Sequence, residues 1–206
     1  MKGMDSLDEQ VNNGLQDGMT TPKPQRRNAA ETRARILLAA RRLFSEHGYA
    51  HAGIRDIAAA AGVNGALAIR YFGGKERLFE EALSAELGAA RLWQGDRSSF
   101  GRDLAAMLIE GDGGANPLPM LILSFTDPVA RQVSLGIIER ELLAPLAAYL
   151  GGANAEARAA EVLALTAGFS TYRRLLPLRP FTGTADESAR RWLERSLQAI
   201  ADGRPT

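Results

Sequence analysis

Three features of the amino-acid sequence predict an all-α protein. Alanine and leucine supply 62 of its 206 residues, whereas valine, isoleucine and threonine supply 23; the first pair favours helices and the second group favours strands. Apolar residues recur at helical spacing along most of the chain, and no segment alternates apolar with polar residues as a strand does. Glycine, proline and N-capping residues separate these apolar stripes. The length is sufficient for one large domain, or for a small domain joined to a medium one.

The N-terminal part is expected to hold a disordered arm followed by four helices. Residues 1–27 are polar, contain three glycines and two prolines, and show no apolar periodicity, so they are predicted to form the arm. Asn28 with Glu31 three residues later is typical of a capping box, and Gly48 is a typical helix stop. The four predicted helices are 29–47, 54–61, 65–72 and one from 75 to about 93.

The remainder of the chain is expected to be helical as well. Asp127 followed by Pro128 predicts an N-cap with proline at the first helical position. Pro145 must kink or restart the helix that follows, because proline has no backbone N–H to donate. Asn154 is the expected N-cap of the next helix. The predicted helices are 99–110, 118–125, 128–150 with an interruption at 145, 154–176, and a last one from 184.

Several functional classes are excluded by residue types that are missing. Cysteine is absent, and His47 and His51 are the only histidines, so disulfides, thiolate zinc sites and a histidine-rich metal centre are not expected. No serine-hydrolase elbow, P-loop, dinucleotide-binding loop or zinc-protease motif is found. We therefore expect no catalytic residues, no metal and no cofactor. The sequence also has no long apolar stretch and no apolar leader, which predicts a cytoplasmic protein without a membrane span.

Positive charge is concentrated in one part of the chain. Residues 1–21 carry a net charge of −3, residues 22–80 carry +6, and residues 81–206 carry −2. A basic segment of this kind suits a polyanion such as DNA, RNA or a phospholipid surface. On charge alone, a solvated basic face fits equally well.

Two short helices separated by a glycine turn lie inside this basic segment and predict a helix-turn-helix. Ala58 is small enough for two helices to cross there. Gly62 suits a turn that needs a positive φ angle. Val63 and Leu67 can fill the small core between the helices, and Asn64 can cap the second one.

The same segment resembles the DNA-binding domain of the tetracycline-repressor-like (TetR) family of transcriptional regulators. The resemblance covers roughly residues 29–80 without gaps. It is carried by Thr32-Arg33, Ile36-Leu37, Leu43-Phe44, Gly48-Tyr49, Ile54 to Ala58, Ala61-Gly62-Val63, Ala66-Leu67, Arg70, Phe72, Lys75-Glu76 and Leu78-Phe79. The chain departs from the family's usual residues at Ala52 and Gly53, where threonine or serine is common, at Ile69, where tyrosine is common, and at Tyr71, where histidine is common.

The resemblance implies an N-terminal three-helix domain with the helix-turn-helix, in residues 28–74, and a C-terminal helical domain for ligand binding and dimerisation, in residues 75–206. It also implies a repressor that binds a palindromic operator in double-stranded DNA as a homodimer and is released by a small-molecule effector. The alternative is a helical scaffold or membrane-surface protein that uses its basic segment. Preference for a defined duplex over random duplex and over anionic vesicles would discriminate between them.

Eight residues are the candidate DNA contacts: Thr32, Arg55, Asn64, Gly65, Ala66, Arg70, Tyr71 and Lys75. Those at the start of the second helix of the motif are placed to read bases, with methyl contacts to thymine expected from the small Gly65 and Ala66. Tyr71 and Lys75 are expected to contact phosphate, as are Thr32 and Arg55, while Arg70 suits a base or a phosphate. The structural alternatives are a plain cap at Asn64, an Arg70–Glu76 ion pair, an Arg55–Asp56 pair, and packing of Tyr71 on the first helix.

The C-terminal half offers candidates for the effector pocket and the dimer interface. The pocket candidates are Trp93, Met107, Met120, Phe125, Ile137, Phe169 and Tyr172. Such stripes are also typical of an ordinary core, and an apolar or aromatic ligand is the default expectation. Small residues on the helix after Asn154, together with the apolar face from Trp192 to Ile200, favour a dimer through residues 154–203, with packing inside the same chain as the alternative.

Overall fold

A computed structural model of the chain describes residues 24–87, 95–111, 116–182 and 187–204. Across these ranges the secondary structure is helical and contains no strand, which confirms the predicted all-α class. The predicted arm lies outside the described residues up to residue 23, and its last four residues belong to the first helix.

Four helices form the N-terminal part: α1 (Pro24–His51), α2 (Ile54–Ala60), α3 (Gly65–Phe72) and α4 (Lys75–Leu87). Helix α1 begins at Pro24, where a residue without a backbone N–H costs no hydrogen bond. Asn28 therefore lies inside α1, and its predicted role as the N-cap was wrong. Gly48 breaks α1 as expected, with a φ angle of 73°, a left-handed conformation that glycine adopts without strain. The predicted extension of α4 to Trp93 lies outside the described residues.

A first hydrophobic core joins these four helices to two later ones. Its N-terminal members include Phe44, Ile57 and Phe72, which the sequence assigned to the core, and each is at most 3% exposed. Its later members include Met120 and Ile137, from helices α6 (Leu118–Ser124) and α7 (Pro128–Ile137), which follow α5 (Phe100–Glu110). The DNA-binding segment of the sequence therefore does not pack as a separate body.

The beginning of α7 and the interruption near Pro145 follow the local sequence. The Asp127 carboxylate accepts hydrogen bonds from the backbone N–H groups of Val129 and Ala130, at 2.9 and 3.0 Å, which confirms the predicted cap. After α7 the chain forms a π-helical segment, Ile138–Leu143, and then α8 (Ala144–Leu150). The wider π turn accommodates Pro145, because a proline ring clashes with the carbonyl four residues earlier in a regular α-helix.

A second hydrophobic core is built by α5, α8 and the last two helices, α9 (Ala155–Ser170) and α10 (Glu187–Asp202). Helix α5 lies very close to α10 at Gly101, where an added Cβ would overlap the Glu194 carbonyl oxygen and lie 2.8 Å from the Gln198 backbone nitrogen. Asn154 precedes α9 in a left-handed conformation without a side-chain cap, so that predicted cap was wrong. The predicted cap of α10 at Thr184 lies outside the described residues.

Arg158 of α9 is buried and ties two helix ends together. Its guanidinium donates to the backbone oxygen of Ala201, at 2.6 Å, and to that of Gly151. These carbonyls lie at the C-terminal ends of α10 and α8, where a cation is favoured by the helix dipole. The N-terminal end of α9 is thereby fastened to both neighbours.

Candidate DNA-binding surface and effector domain

The turn between α2 and α3 has the geometry of a helix-turn-helix. The backbone N–H of Val63 donates to the Ala58 oxygen at 2.9 Å, and that of Gly62 donates to the Ala59 oxygen at 3.0 Å. These two bonds form a Schellman motif, which needs a left-handed residue before its last member. Gly62 supplies it with a φ angle of 67°, which confirms that prediction, and Ala58 is buried, as a residue at a helix crossing would be.

Asn64 caps α3, as predicted. Its Oδ1 accepts a hydrogen bond from the backbone N–H of Leu67 at 2.8 Å, and the cap does not use the side-chain NH₂ group. Gly65 follows at the point where α3 lies against α2, because its added Cβ would be 3.4 Å from Cγ of Arg55. The start of α3 and the exposed Arg55 are therefore adjacent on one surface.

Helix α3 buries Ala68 and Phe72 and exposes Ala66, Ile69 and Arg70. Within the described residues, no ion pair joins Arg70 to Glu76 or Arg55 to Asp56, so the structural alternatives for these two arginines are not found. Both guanidinium groups remain available to a ligand.

Arginine is in excess around this surface. Arg33 and Arg41 of α1 pair with Glu81 and Glu86 of α4. Between residues 28 and 87, the exposed arginines that make no ion pair with a described residue are Arg35, Arg42, Arg55, Arg70 and Arg77. The basic segment is therefore only partly neutralised by its own fold.

Lys75, at the start of α4, lies against an aromatic ring. Its ammonium nitrogen is 4.3 Å from the ring centroid of Tyr49, a cation–π contact that orients the side chain. Tyr49 in turn packs against Phe44 and Phe79, with centroid distances of 6.1 and 5.2 Å. Burial raises the pKa of the Tyr49 hydroxyl, and the negative charges of Glu76 and Asp127 raise it further.

The two remaining DNA candidates have partners inside the protein. Tyr71 is half-buried and packs on the first core, which agrees with a packing role for the ring. The Thr32 hydroxyl donates to the backbone oxygen of Asn28 at 2.7 Å and still has lone pairs to accept from another group. Their phosphate contacts remain predictions.

The candidate effector residues do not lie together. Met120 and Ile137 are buried in the first core, Phe169 is buried in the second, and Met107, Phe125 and Tyr172 are exposed; Trp93 lies outside the described residues. Helical periodicity identifies residues that are buried or apolar, but it does not say which core receives them. Their roles in ligand binding remain predictions.

A cleft that the sequence did not indicate lies between α4 and the π-helical segment. It has a volume of about 420 Å³ and is lined by Glu80, Glu81, Ser84, Ala85 and Arg140. No signal in the sequence could have located it, because its walls come from segments about 60 residues apart.

The polar contacts across this cleft connect α4 to the π-helical segment. Arg140 donates to Glu80 and to Glu141 at 3.1 Å each, and the Ser84 hydroxyl donates to Glu141 at 2.6 Å. The hydrogen bond to Glu141, together with Glu80, raises the pKa of Arg140. Helix α4 is therefore held by polar contacts at two successive turns.

Two further properties concern metals and membranes. In the described ranges, no three histidine, aspartate or glutamate side chains converge as a metal site would require. No described helix combines the length and the hydropathy needed to cross a bilayer.

Comparison with known protein families agrees with this architecture. Residues 36–82 match the family of bacterial regulatory proteins called tetR, and residues 98–200 match the tetracyclin repressor-like C-terminal domain. The fold and these matches define a DNA-binding transcriptional regulator with a helix-turn-helix domain and a helical ligand-binding domain. The chain belongs to the TetR family, as the motifs around Gly62 and Lys75 indicate.

Solved structures give the same fold. A TetR-family regulator from Streptomyces coelicolor A3 is 26% identical, with 90% of this chain and 99% of that chain covered and a TM-score of 0.56. The multidrug binding protein EbrR, solved with ethidium, is 24% identical, with 85% and 99% covered and a TM-score of 0.61. NalD of Pseudomonas aeruginosa, the secondary repressor of the MexAB-OprM multidrug efflux pump, is 19% identical, with 82% and 96% covered and a TM-score of 0.55. Comparison with curated proteins gave no match.

Proposed function

We propose that this TetR-family regulator is a repressor that binds a palindromic operator as a homodimer and is released by a small molecule. The observation that carries the DNA-binding part is the unpaired positive charge around α3. Arg55 lies beside the start of that helix and Arg70 on its exposed surface, neither with an ion-pair partner among the described residues, and Lys75 lies at the start of the next helix. Such a surface attracts phosphates on both sides of the groove that α3 enters.

The homodimer is supported by an exposed face of small residues on α9. Ala157, Ala160, Ala164 and Gly168 follow one another at helical spacing and are exposed. An added Cβ at Gly168 would meet no atom within 4 Å. A second copy of the helix can approach such a face closely, and Trp192 of α10 adds an exposed aromatic ring. Pairing two copies would place two α3 helices on half-sites about 34–36 Å apart.

The release step is proposed from the contacts that hold α4. Arg140 and Glu141 of the π-helical segment bind Glu80 and Ser84 of α4, and Lys75 begins that helix. A ligand that moves the π-helical segment would therefore tilt α4 and shift both α3 helices out of register with successive major grooves. A coupling free energy of about 1–3 kcal/mol would weaken operator binding roughly 5–150-fold. EbrR is a multidrug binding protein that was solved with ethidium, and this relative supports an aromatic effector.

Selection from a random duplex pool tests the DNA-binding proposal. The protein should enrich a palindromic sequence, and it should bind that duplex more tightly than scrambled duplex or anionic vesicles. Enrichment of no sequence, with equal binding to vesicles, would favour the scaffold or membrane-surface alternative.

Sedimentation tests the dimer, with a matched pair of glycine variants. The wild type should sediment at twice 22.1 kDa at micromolar concentration. Gly168→Leu should weaken the dimer, whereas Gly136→Leu, at a second helical glycine with no atom within 4 Å of an added Cβ, should leave it unchanged. A wild type that stays monomeric would contradict the operator model, because half-sites are read in pairs.

A thermal-shift screen of aromatic and apolar compounds, followed by titration, tests the release step. A compound that binds should change the emission of Trp93 in a Trp192→Phe background. Operator DNA should lower the affinity of the protein for the compound by the same factor by which the compound lowers its affinity for operator DNA. Equal affinity with and without operator would show that the two sites are uncoupled.

A further inference from the structure

The exposed stripe of α3 contains a large aliphatic side chain where contacts to DNA are expected. Ile69 is 49% exposed, although Ala68 and Phe72, the apolar residues next to it around α3, are buried. Ala66 precedes it by three residues on the same exposed stripe. Two consecutive turns of the helix therefore present alkyl groups outward.

These side chains cannot make the hydrogen bonds by which most bases are recognised. Ile69 and Ala66 carry no polar side-chain atom, and the Oδ1 atom of Asn64 is already engaged in the cap of α3. In the major groove, guanine, cytosine and adenine present polar groups at the edge, whereas thymine also presents its C5-methyl group. An aliphatic side chain matches only that methyl group, because any other edge would lose water without gaining a hydrogen bond.

Positive charge next to this stripe favours close approach to DNA. Arg70 follows Ile69 directly and has no ion-pair partner among the described residues, and Arg55 lies beside the start of the helix. Contacts from these arginines to phosphate would hold α3 inside the major groove, although such contacts do not themselves distinguish one base from another. The apolar stripe is then the part of α3 that meets base edges.

We propose that Ile69 is a specificity-determining residue that reads the C5-methyl group of a thymine in each half-site, with Ala66 completing the apolar contact. The inference rests on the proposed DNA-binding function and names the chemistry of recognition at that site. It predicts selectivity for a methyl group rather than for a hydrogen-bonding pattern.

Removal of single methyl groups from the DNA tests this directly. In the duplex selected by the wild type, each thymine is replaced in turn by deoxyuridine, which lacks only the C5-methyl group, and dissociation constants are measured at fixed salt. Deoxyuridine at one position in each half-site should weaken wild-type binding roughly fourfold, the effect expected for the loss of one buried methyl group. At that position a cytosine should bind more tightly when it carries a C5-methyl group.

The variant Ile69→Ala should bind the thymine and deoxyuridine duplexes equally at that position, with the salt dependence of wild type, since no phosphate contact is lost. Leu135→Ala is the matched control, because Leu135 of α7 is 48% exposed and lies outside the motif. It should retain the full response to deoxyuridine. Equal melting temperatures of the three proteins would exclude an effect through folding.

The outcomes separate this inference from the function on which it rests. If the wild type enriches no sequence, the proposed function fails. If it enriches a sequence but no thymine responds to deoxyuridine, or if Ile69→Ala responds as wild type does, the role of Ile69 is overturned. A uniform loss of affinity with a shallower salt slope in Ile69→Ala would also overturn it, because that result indicates a backbone contact.

Discussion

The two hydrophobic cores of this protein divide the helices differently from the two functional regions. The first core contains the helix-turn-helix and α4 together with α6 and α7, whereas the buried residues of the second come from α5 and α8–α10. Helices on the DNA side thus share packed side chains with part of the ligand-binding half. A movement of α6 or α7 can therefore reach the DNA-binding helices directly, since α6 contacts α1 and α7 contacts α4.

The regions also differ in the contacts that hold them together. Around α4, ion pairs and polar bonds such as Arg41–Glu86 and Ser84–Glu141 join helices across the first core. In the second core, α5 approaches α10 closely at Gly101, and the buried Arg158 bonds to backbone oxygens rather than to a carboxylate. Charge should therefore matter more for the first region and shape more for the second.

The largest expected effect comes from truncating one buried residue in each core. Met120→Ala and Leu193→Ala should each lower the free energy of unfolding by about 2–5 kcal/mol, because both side chains are fully buried. Hydrogen exchange should then distinguish the cores: Met120→Ala should speed local exchange in α1 and α4, and Leu193→Ala in α5 and α9. If Met120→Ala affects only the C-terminal helices, the shared first core is not a cooperative unit.

A smaller effect on stability is expected at Gly101, where α5 and α10 are too close for a side chain. Gly101→Ala should lower the free energy of unfolding by about 1–3 kcal/mol, since the new methyl group forces α5 away from the Glu194 carbonyl. Gly136→Ala is the control, because no atom lies within 4 Å of its added Cβ, and it should raise stability by up to about 1 kcal/mol through helix propensity. Chemical denaturation measures both, and a neutral Gly101→Ala would mean that α10 can move without cost.

On the DNA side, Lys75→Ala should weaken binding to all duplexes about equally and reduce the slope of log affinity against log salt by about one per half-site. Tyr49→Phe should keep the slope of wild type, because the ring that carries the Lys75 ammonium is retained. Tyr49→Leu should weaken binding by a smaller factor than Lys75→Ala does. Loss of sequence discrimination with an unchanged salt slope in Lys75→Ala would assign Lys75 to base reading instead.

The smallest effect concerns pH. Burial, with Glu76 and Asp127, raises the pKa of Tyr49 in the folded state, so the folded protein retains this proton at pH values where the unfolded chain has lost it. Stability should therefore fall as pH rises from about 10. In Tyr49→Phe, the free energy of unfolding measured by urea titration should decline less steeply with alkaline pH. In Asp127→Asn, the pKa of Tyr49 measured by tyrosinate absorbance should be lower. An unchanged decline in Tyr49→Phe would assign it to other groups.

The helix-turn-helix and the start of α7 could be predicted residue by residue because their requirements are local. The positive φ angle of Gly62, the cap formed by Asn64, and the start of α7 at Asp127 and Pro128 each depend on fewer than six consecutive residues. The predicted N-caps at Asn28 and Asn154 were nevertheless wrong, because the chain adopts other conformations there. There, the extension of α1 back to Pro24 and the left-handed turn at Asn154 replaced the expected side-chain caps.

The helical class, the turn between α2 and α3, the family and the candidate DNA contacts thus follow from the amino-acid sequence. Three features depend on the folded chain: the Lys75 ammonium lies on the Tyr49 ring, Met120 and Phe169 belong to different cores, and a cleft lies between α4 and Arg140. The difference comes from the separation of the interacting residues along the chain. Turn and cap energies act between neighbouring residues, whereas these contacts join segments tens of residues apart, and their partners are selected by packing of the whole chain.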